Sequence, residues 1–229
     1  MNKLVRVAAL ILGIFALTQF CALSVFLNTA ADGGLYYRIQ LAENVDPGVD
    51  GETMRELDML LAEYLAGDAD ALDRTEMFNA HEKTHMEDVY ALFALARDVK
   101  NASFVLGALL LGAVFYRRAL YTRLQLQLGI IGGVALFILP FAALGVWAAL
   151  DFGAAFTAMH RALFSNKLWL MDPDTDLMIR MLPERFFVSI GRTLAVRSGI
   201  AALAAPLVIF MGTLDWKRLG ERLSALKKD

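Results

Sequence analysis

Cysteine is almost missing from this chain of 229 residues, and the single thiol, Cys21, has no second thiol to pair with. A disulfide framework and paired-cysteine redox chemistry are thereby excluded. Cys21 stands inside an apolar run behind Thr18-Gln19-Phe20, not behind the small residues that a lipid-attachment site requires, and reads as a buried thiol. Histidine is nearly as scarce: His81, His85 and His160 are the full set. Gly-x-Ser-x-Gly, P-loop and Gly-x-Gly-x-x-Gly strings are absent, which leaves serine-hydrolase and nucleotide chemistry without support. No internal repeat, low-complexity tract or separate soluble domain is visible. Charge itself is lacking over four long segments, 7–27, 101–116, 124–150 and 198–214.

In place of charge there is apolarity. Hydrophobic residues make up 58% of the chain, above the roughly half expected of a soluble domain. A helix that crosses a bilayer takes roughly 20 mostly apolar residues. The uncharged segments, extended into flanking turns where Lys100 and Arg197 direct their charges to the interface, predict spans at about 5–27, 99–117, 124–149 and 194–214. The first is too long for a signal-peptide core of roughly 7 to 15 residues and is expected to remain as a span.

The net charge of −2 hides an asymmetry. Basic residues stand at Lys3 and Arg6, at Arg117, Arg118 and Arg123, and in the tail at Lys217, Arg218, Arg222, Lys227 and Lys228, whereas residues 28–100 hold sixteen Asp or Glu against six Lys or Arg. By the positive-inside rule both termini and the second connection face the cytoplasm, and the segments at about 28–98 and 150–193 lie outside. The expected fold class is an all-α membrane protein. Four transmembrane helices carry a small helical extracellular cap built from the first and third connections, the whole forming one domain over residues 1–229.

Within the cap, Asp32 to Gly51 is rich in turn signals and reads as irregular. Residues 53–65 place Met54, Leu57, Leu60, Leu61 and Leu65 at the three-and-four spacing of an amphipathic helix. A further helix is expected from Glu76 or Asn79 through Val99 into the second span. The third connection passes through Asp172-Pro173-Asp174-Thr175-Asp176 and Pro183, both turn signals. All three histidines then fall on the same side of the bilayer.

Two chemistries compete for the string HEKTHMEDVY, residues 81–90. His81, Glu82 and His85 fit H-E-x-x-H, in which two histidines one turn apart bind zinc and the glutamate activates water, with His160, Asp151 or Glu184 as third ligand. Lys83 at an x position and the polar continuation Met86-Glu87-Asp88 weigh against it. Alternatively Asp88, three residues after His85, shares its helical face and holds the imidazole in one tautomer. The plainest alternatives are solvated histidines on a non-enzymatic, partner-binding cap, and aromatics such as Phe156, Phe164 and Trp169 serving as interfacial anchors.

Glu82-x-x-His85-Met86-x-Asp88-Val89, followed by His160-x-x-x-Phe164, Asn166-x-x-Trp169-x-x-Asp172-Pro173-x-x-Asp176-Leu177 and Pro183-x-x-Phe186-Phe187, resembles the lipoprotein intramolecular transacylases. These are bacterial four-span membrane proteins with an extracellular cap. The resemblance implies transfer of the sn-2 acyl chain of a diacylglyceryl lipoprotein to the α-amino group of its N-terminal cysteine, in the cytoplasmic membrane. It implies His85 and His160 as catalytic residues, supported by Glu82, Asp88, Trp169 and Asp172. His81 matches nothing in the family pattern, and Leu170-Met171 stands where an aromatic is expected.

Attack of the amine on the sn-2 carbonyl closes a strained medium ring through N, Cα, Cβ, S, two glyceryl carbons, the ester oxygen and the carbonyl carbon, so holding the two ends together is a large part of the task. A base must take the amine proton and an acid must protonate the departing glyceryl oxygen; imidazoles suit both tasks. His85 is assigned as base and His160 as acid or oxyanion donor. No metal or soluble cofactor is needed, and the partners are the lipoprotein substrate and the bilayer, with no nucleic acid and the oligomeric state left open.

Overall fold

The computed structural model describes residues 3–214. The helices in chain order are α1 (Lys3–Ala30), α2 (Gly33–Ala42), α3 (Gly51–Ala66), α4 (Ala80–Tyr116), α5 (Arg123–Leu150), α6 (Phe152–Leu163), α7 (Leu177–Met181) and α8 (Glu184–Met211), with short 3-10 turns at Ala71–Arg74 and Arg118–Leu120. No strand occurs among the described residues. Four helices, α1, α4, α5 and α8, are long and apolar enough to cross a membrane. The chain is an all-α, multi-pass membrane protein.

Short polar side chains start five of the helices, α2 to α6. Asp32 accepts from Leu35 N, Asp50 from Glu52 N and Thr53 N, and Asp151 from Ala154 N. Asn79 with Glu82, and Thr122 with Gln125, form reciprocal capping boxes. Helix α4 runs for 37 residues. Its first part, 80–98, carries Glu82, Lys83, Glu87, Asp88, Arg97 and Asp98 and belongs to the cap; the uncharged 101–116 suits the bilayer.

The segment expected to be irregular between Asp32 and Gly51 is half helical, because α2 occupies Gly33–Ala42. Gly33 is a packing residue here: a Cβ on it would lie 2.7 Å from the Asp58 carbonyl oxygen, so glycine lets α2 close onto α3. The irregular stretch is confined to 43–50, where Asn44 (φ 52°) and Gly48 (φ 80°) turn the chain.

Helix α1 is the hub of the bundle and packs against α4, α5 and α8. Glycine permits this closeness, since a Cβ at Gly133 would lie 2.6 Å from the Ile11 carbonyl oxygen. Two polar groups inside the bundle find partners nearby: Thr18 Oγ1 donates to Ile14 O, and Ser103 Oγ donates to Gln19 Oε1 at 2.9 Å, linking α4 to α1. Arg6 donates to Leu120 O at 2.9 Å, and Tyr121 donates to Arg6 O, so the basic N-terminus and the basic second connection share one end of the bundle. The basic tail, Lys217 to Lys228, lies outside the described residues.

The cap has its own apolar core, in which Leu57, Leu61, Phe78, Met86, Met181 and Phe186 are buried. One polar pair sits in it. Gln40 Nε2 donates to Asp58 Oδ1 at 3.0 Å and to Met181 O at 3.1 Å, joining α2, α3 and α7. Gln40 Oε1 and Asp58 Oδ2 have no partner. Burial pushes the Asp58 carboxyl up to about 7.

Candidate functional site

The first turn of α4 is bonded to the connection between α5 and α8 as well as to itself. Asn79 Oδ1 accepts from Glu82 N (3.0 Å) while Asn79 Nδ2 donates to Asp176 Oδ1 (2.8 Å). Glu82 is 1% exposed, and each carboxylate oxygen accepts a backbone N–H: Oε2 from Asn79 (2.7 Å) and Oε1 from Met178 (2.5 Å). The glutamate therefore joins two segments of chain roughly a hundred residues apart, and its oxygens are already engaged. His81 Nδ1 lies 3.5 Å from Asp176 Oδ2, in the same joint. The H-E-x-x-H string does not act as one unit: His81 faces Asp176, Glu82 faces backbone amides and His85 faces elsewhere. Among the described residues no three His, Cys, Asp or Glu are gathered as a metal would need.

One turn beyond the joint, His85 is buried (7% exposed) against His160 of α6 (8% exposed), with ring centroids 6.4 Å apart and nearly parallel planes. Phe164 packs against both rings, at 5.3 Å from His85 and 5.5 Å from His160. Trp169 lies 5.1 Å from His160, and Phe156 4.0 Å. Phe156 in turn packs on Phe187 of α8. Phe156, Phe164 and Trp169 together enclose the imidazole pair.

His160 Nδ1 stands 2.8 Å from the carbonyl oxygen of Phe156. A carbonyl can only accept, so Nδ1 carries the hydrogen and Nε2 of the neutral ring presents a lone pair. Burial lowers the His160 pKa, against the opposing effect of that hydrogen bond. For His85, burial first and the neighbouring His160 second lower it to about 4, with Asp88 acting in the other direction. Both rings are neutral near pH 7. His85 Nδ1 is buried with no hydrogen-bond partner.

The supporting residues fall unevenly. Glu82 and Trp169 are as close as described. Asp88 does not hold His85, as its helical spacing had suggested; its Oδ2 accepts from Asn166 Nδ2 at 2.7 Å, a donor that arrives from the α6–α7 connection. Asp172 shapes the turn before α7, accepting from Asp174 N and donating its own N–H to Asp176 Oδ2. The residue that sequence reasoning undervalued is Phe156. Its signal was its position four residues before His160, where one helical turn brings both its ring and its carbonyl to the imidazole.

The geometry agrees with independent comparisons. The family model described as lipoprotein intramolecular transacylase Lit matches residues 7–187. The in meso structure of the membrane integral lipoprotein intramolecular transacylase Lit from Bacillus cereus is similar with a TM-score of 0.80, at 18% identity, covering 95% of this chain and 100% of that one. Two further structures of the Bacillus cereus protein, each with one histidine replaced, by arginine or by alanine, give TM-scores of 0.76 and 0.69. The first is 18% identical and covers 94% of this chain and 95% of that one. The second is 20% identical and covers 94% and 93%. No individually curated protein matches.

Proposed function

The chain belongs to the lipoprotein intramolecular transacylase family, and on that premise we propose that this acyltransferase moves the sn-2 acyl chain of a diacylglyceryl lipoprotein onto the α-amino group of its N-terminal cysteine. The carrying observation is the buried pair His85–His160, drawn from two outer segments and walled by Phe156, Phe164 and Trp169. Cap and active site face the extracytoplasmic side of the bacterial membrane, with both termini in the cytoplasm; the shared basic end of α1 and the second connection supports this orientation.

The roles assigned from sequence exchange places. His160 Nε2, its lone pair directed by the Phe156 carbonyl on Nδ1, takes the proton of the attacking amine as the N–C bond forms. The same imidazolium then gives that proton to the glyceryl oxygen as the C–O bond breaks, so an ester becomes an amide and a free hydroxyl with no net gain of protons. His85, held neutral by burial, serves as a hydrogen-bond donor to the developing oxyanion. Glu82 sets the position of His85 through the joint to Met178. Asp172 acts at a distance by shaping the turn before that joint.

The test is tandem mass spectrometry of the N-terminal lipopeptide of a model lipoprotein, produced with this protein in cells unable to N-acylate lipoproteins otherwise. Fragmentation is essential because migration within one molecule leaves the intact mass unchanged. One acyl group on the cysteine nitrogen, lost in His85→Ala and in His160→Ala, is the expected result. Both acyl groups remaining on glycerol with the unaltered protein would overturn the proposal.

A further inference from the structure

Asn166 is bonded through both polar atoms of its side chain and through its backbone oxygen. Its side-chain Nδ2 donates to Asp88 Oδ2 at 2.7 Å, its Oδ1 accepts from Leu168 N at 3.1 Å, and its backbone oxygen accepts from the indole Nε1–H of Trp169 at 3.2 Å. The Trp169 ring is the one that rests on His160. Asp88 sits on α4 three residues after His85. A single chain of contacts thus runs from the helix that carries one histidine to the aromatic wall of the other. Among the described residues, the bond to Asp88 is the only hydrogen bond that leads from residues 165–171 to another helix. Backbone bonds in that stretch, such as Leu170 N to Lys167 O, close on the loop itself.

We propose that Asp88 and Asn166 are positioning residues of the transacylase site described above, acting on His160 through Trp169. Neither touches an imidazole; their effect is to hold the loop 165–171 so that the indole stays against His160. A carboxylate accepting from an amide is a charge-assisted bond, stronger than a neutral one. Its partner Asn166 is exposed, as are Ser165, Lys167 and Leu170. Leu168, Trp169 and Met171 are partly buried and Met171 packs on the cap core at the far end of the loop, so at the near end the bond from Asn166 to Asp88 is what orients Trp169. Because reaction rates depend steeply on the geometry of reacting groups, small displacements of the wall reach the chemistry.

The inference rests on the proposed function, and the experiment separates the two. Asn166→Asp, Asn166→Ala and Trp169→Phe are each expected to lower kcat about tenfold, with KM and melting temperature little changed. The double variant Asn166→Asp with Trp169→Phe should lose no more than the worse single one, since both cut the same chain. Exchanging the pair, Asp88→Asn with Asn166→Asp, restores a donor facing a carboxylate and should recover most of the rate. Losses that multiply, or an exchanged pair no better than Asn166→Asp alone, overturn the inference. Emission of Trp169, read in protein carrying Trp147→Phe and Trp216→Phe, provides a readout that needs no turnover. Asn166→Ala should shift that emission to longer wavelength as the indole meets water, and the exchanged pair should reverse the shift. If the unaltered protein moves no acyl chain, the proposed function fails, and the emission result alone decides the positioning role: a spectrum unmoved by Asn166→Ala refutes it.

Discussion

Replacing Asp58 by asparagine should stabilise this protein at alkaline pH and leave it little changed in acid. In the folded chain Asp58 is fully buried, and one of its oxygens accepts from Gln40 Nε2 at 3.0 Å. Its other oxygen and Gln40 Oε1 are acceptors without donors. A proton on the carboxyl would provide the missing donor, and burial accordingly raises its pKa from 3.8 to about 7. The raised value means that the folded state retains a proton which the unfolded chain releases. Its stabilising effect is complete below about pH 4 and is lost as pH rises to about 7. Roughly three pKa units at about 1.4 kcal/mol each correspond to about 4 kcal/mol of stability. Asparagine has the donor permanently. Thermal unfolding of Asp58→Asn and of the unaltered protein, followed at several values between pH 4 and pH 8 in the same detergent, isolates this group, since other titrations are common to both. The variant should gain on the original as pH rises, by up to about 4 kcal/mol. Parallel pH curves would show that the carboxyl is not held protonated, and the account of the pair would be wrong.

Other outcomes follow from the same reasoning. Glu82→Gln keeps one acceptor but turns an amide N–H toward a buried backbone N–H, either of Met178 or of Asn79. It should cost about 2 kcal/mol or more, and hydrogen exchange at Met178 should accelerate; unchanged protection there would contradict the joint. Gly133→Ala places a Cβ 2.6 Å from the Ile11 carbonyl oxygen and should destabilise the bundle by about 1 to 3 kcal/mol, whereas Gly112→Ala, with nothing within 4 Å, should be nearly neutral. Apart from the titration of the substrate's own α-amine, the pH dependence of acyl transfer should keep its acid limb below the ordinary histidine value of 6.5, because burial lowers both His85 and His160 and the base works only when neutral. A limb above 6.5 would mean that the imidazoles are not enclosed as described.

Much of the architecture was legible in the residues alone. Long uncharged runs require helices in a bilayer, since every backbone N–H and C=O must be satisfied internally there. The amphipathic spacing in 53–65 and the Asn79 start of α4 were legible for a similar reason: both depend on neighbours within a turn or two. Gly33 misled because a glycine needed for closeness and one needed for a turn look alike until the packing partner is known.

The candidate site divides along the same line. Residue types and spacing by themselves determined that His85 and His160 belong to the connections between the long uncharged runs and not to the runs themselves. That the two imidazoles lie 6.4 Å apart was decided by the tertiary structure, through a joint in which Glu82 binds the Met178 amide. The same holds for the partner of each polar group. Asp88 had a histidine in its helical register and took an asparagine from another loop; Glu82 had a zinc motif around it and took two backbone amides. Local spacing determines which side chains share a face. Which of them becomes bonded depends on the donor brought close by the rest of the chain, and that is a property of packing over long sequence separations.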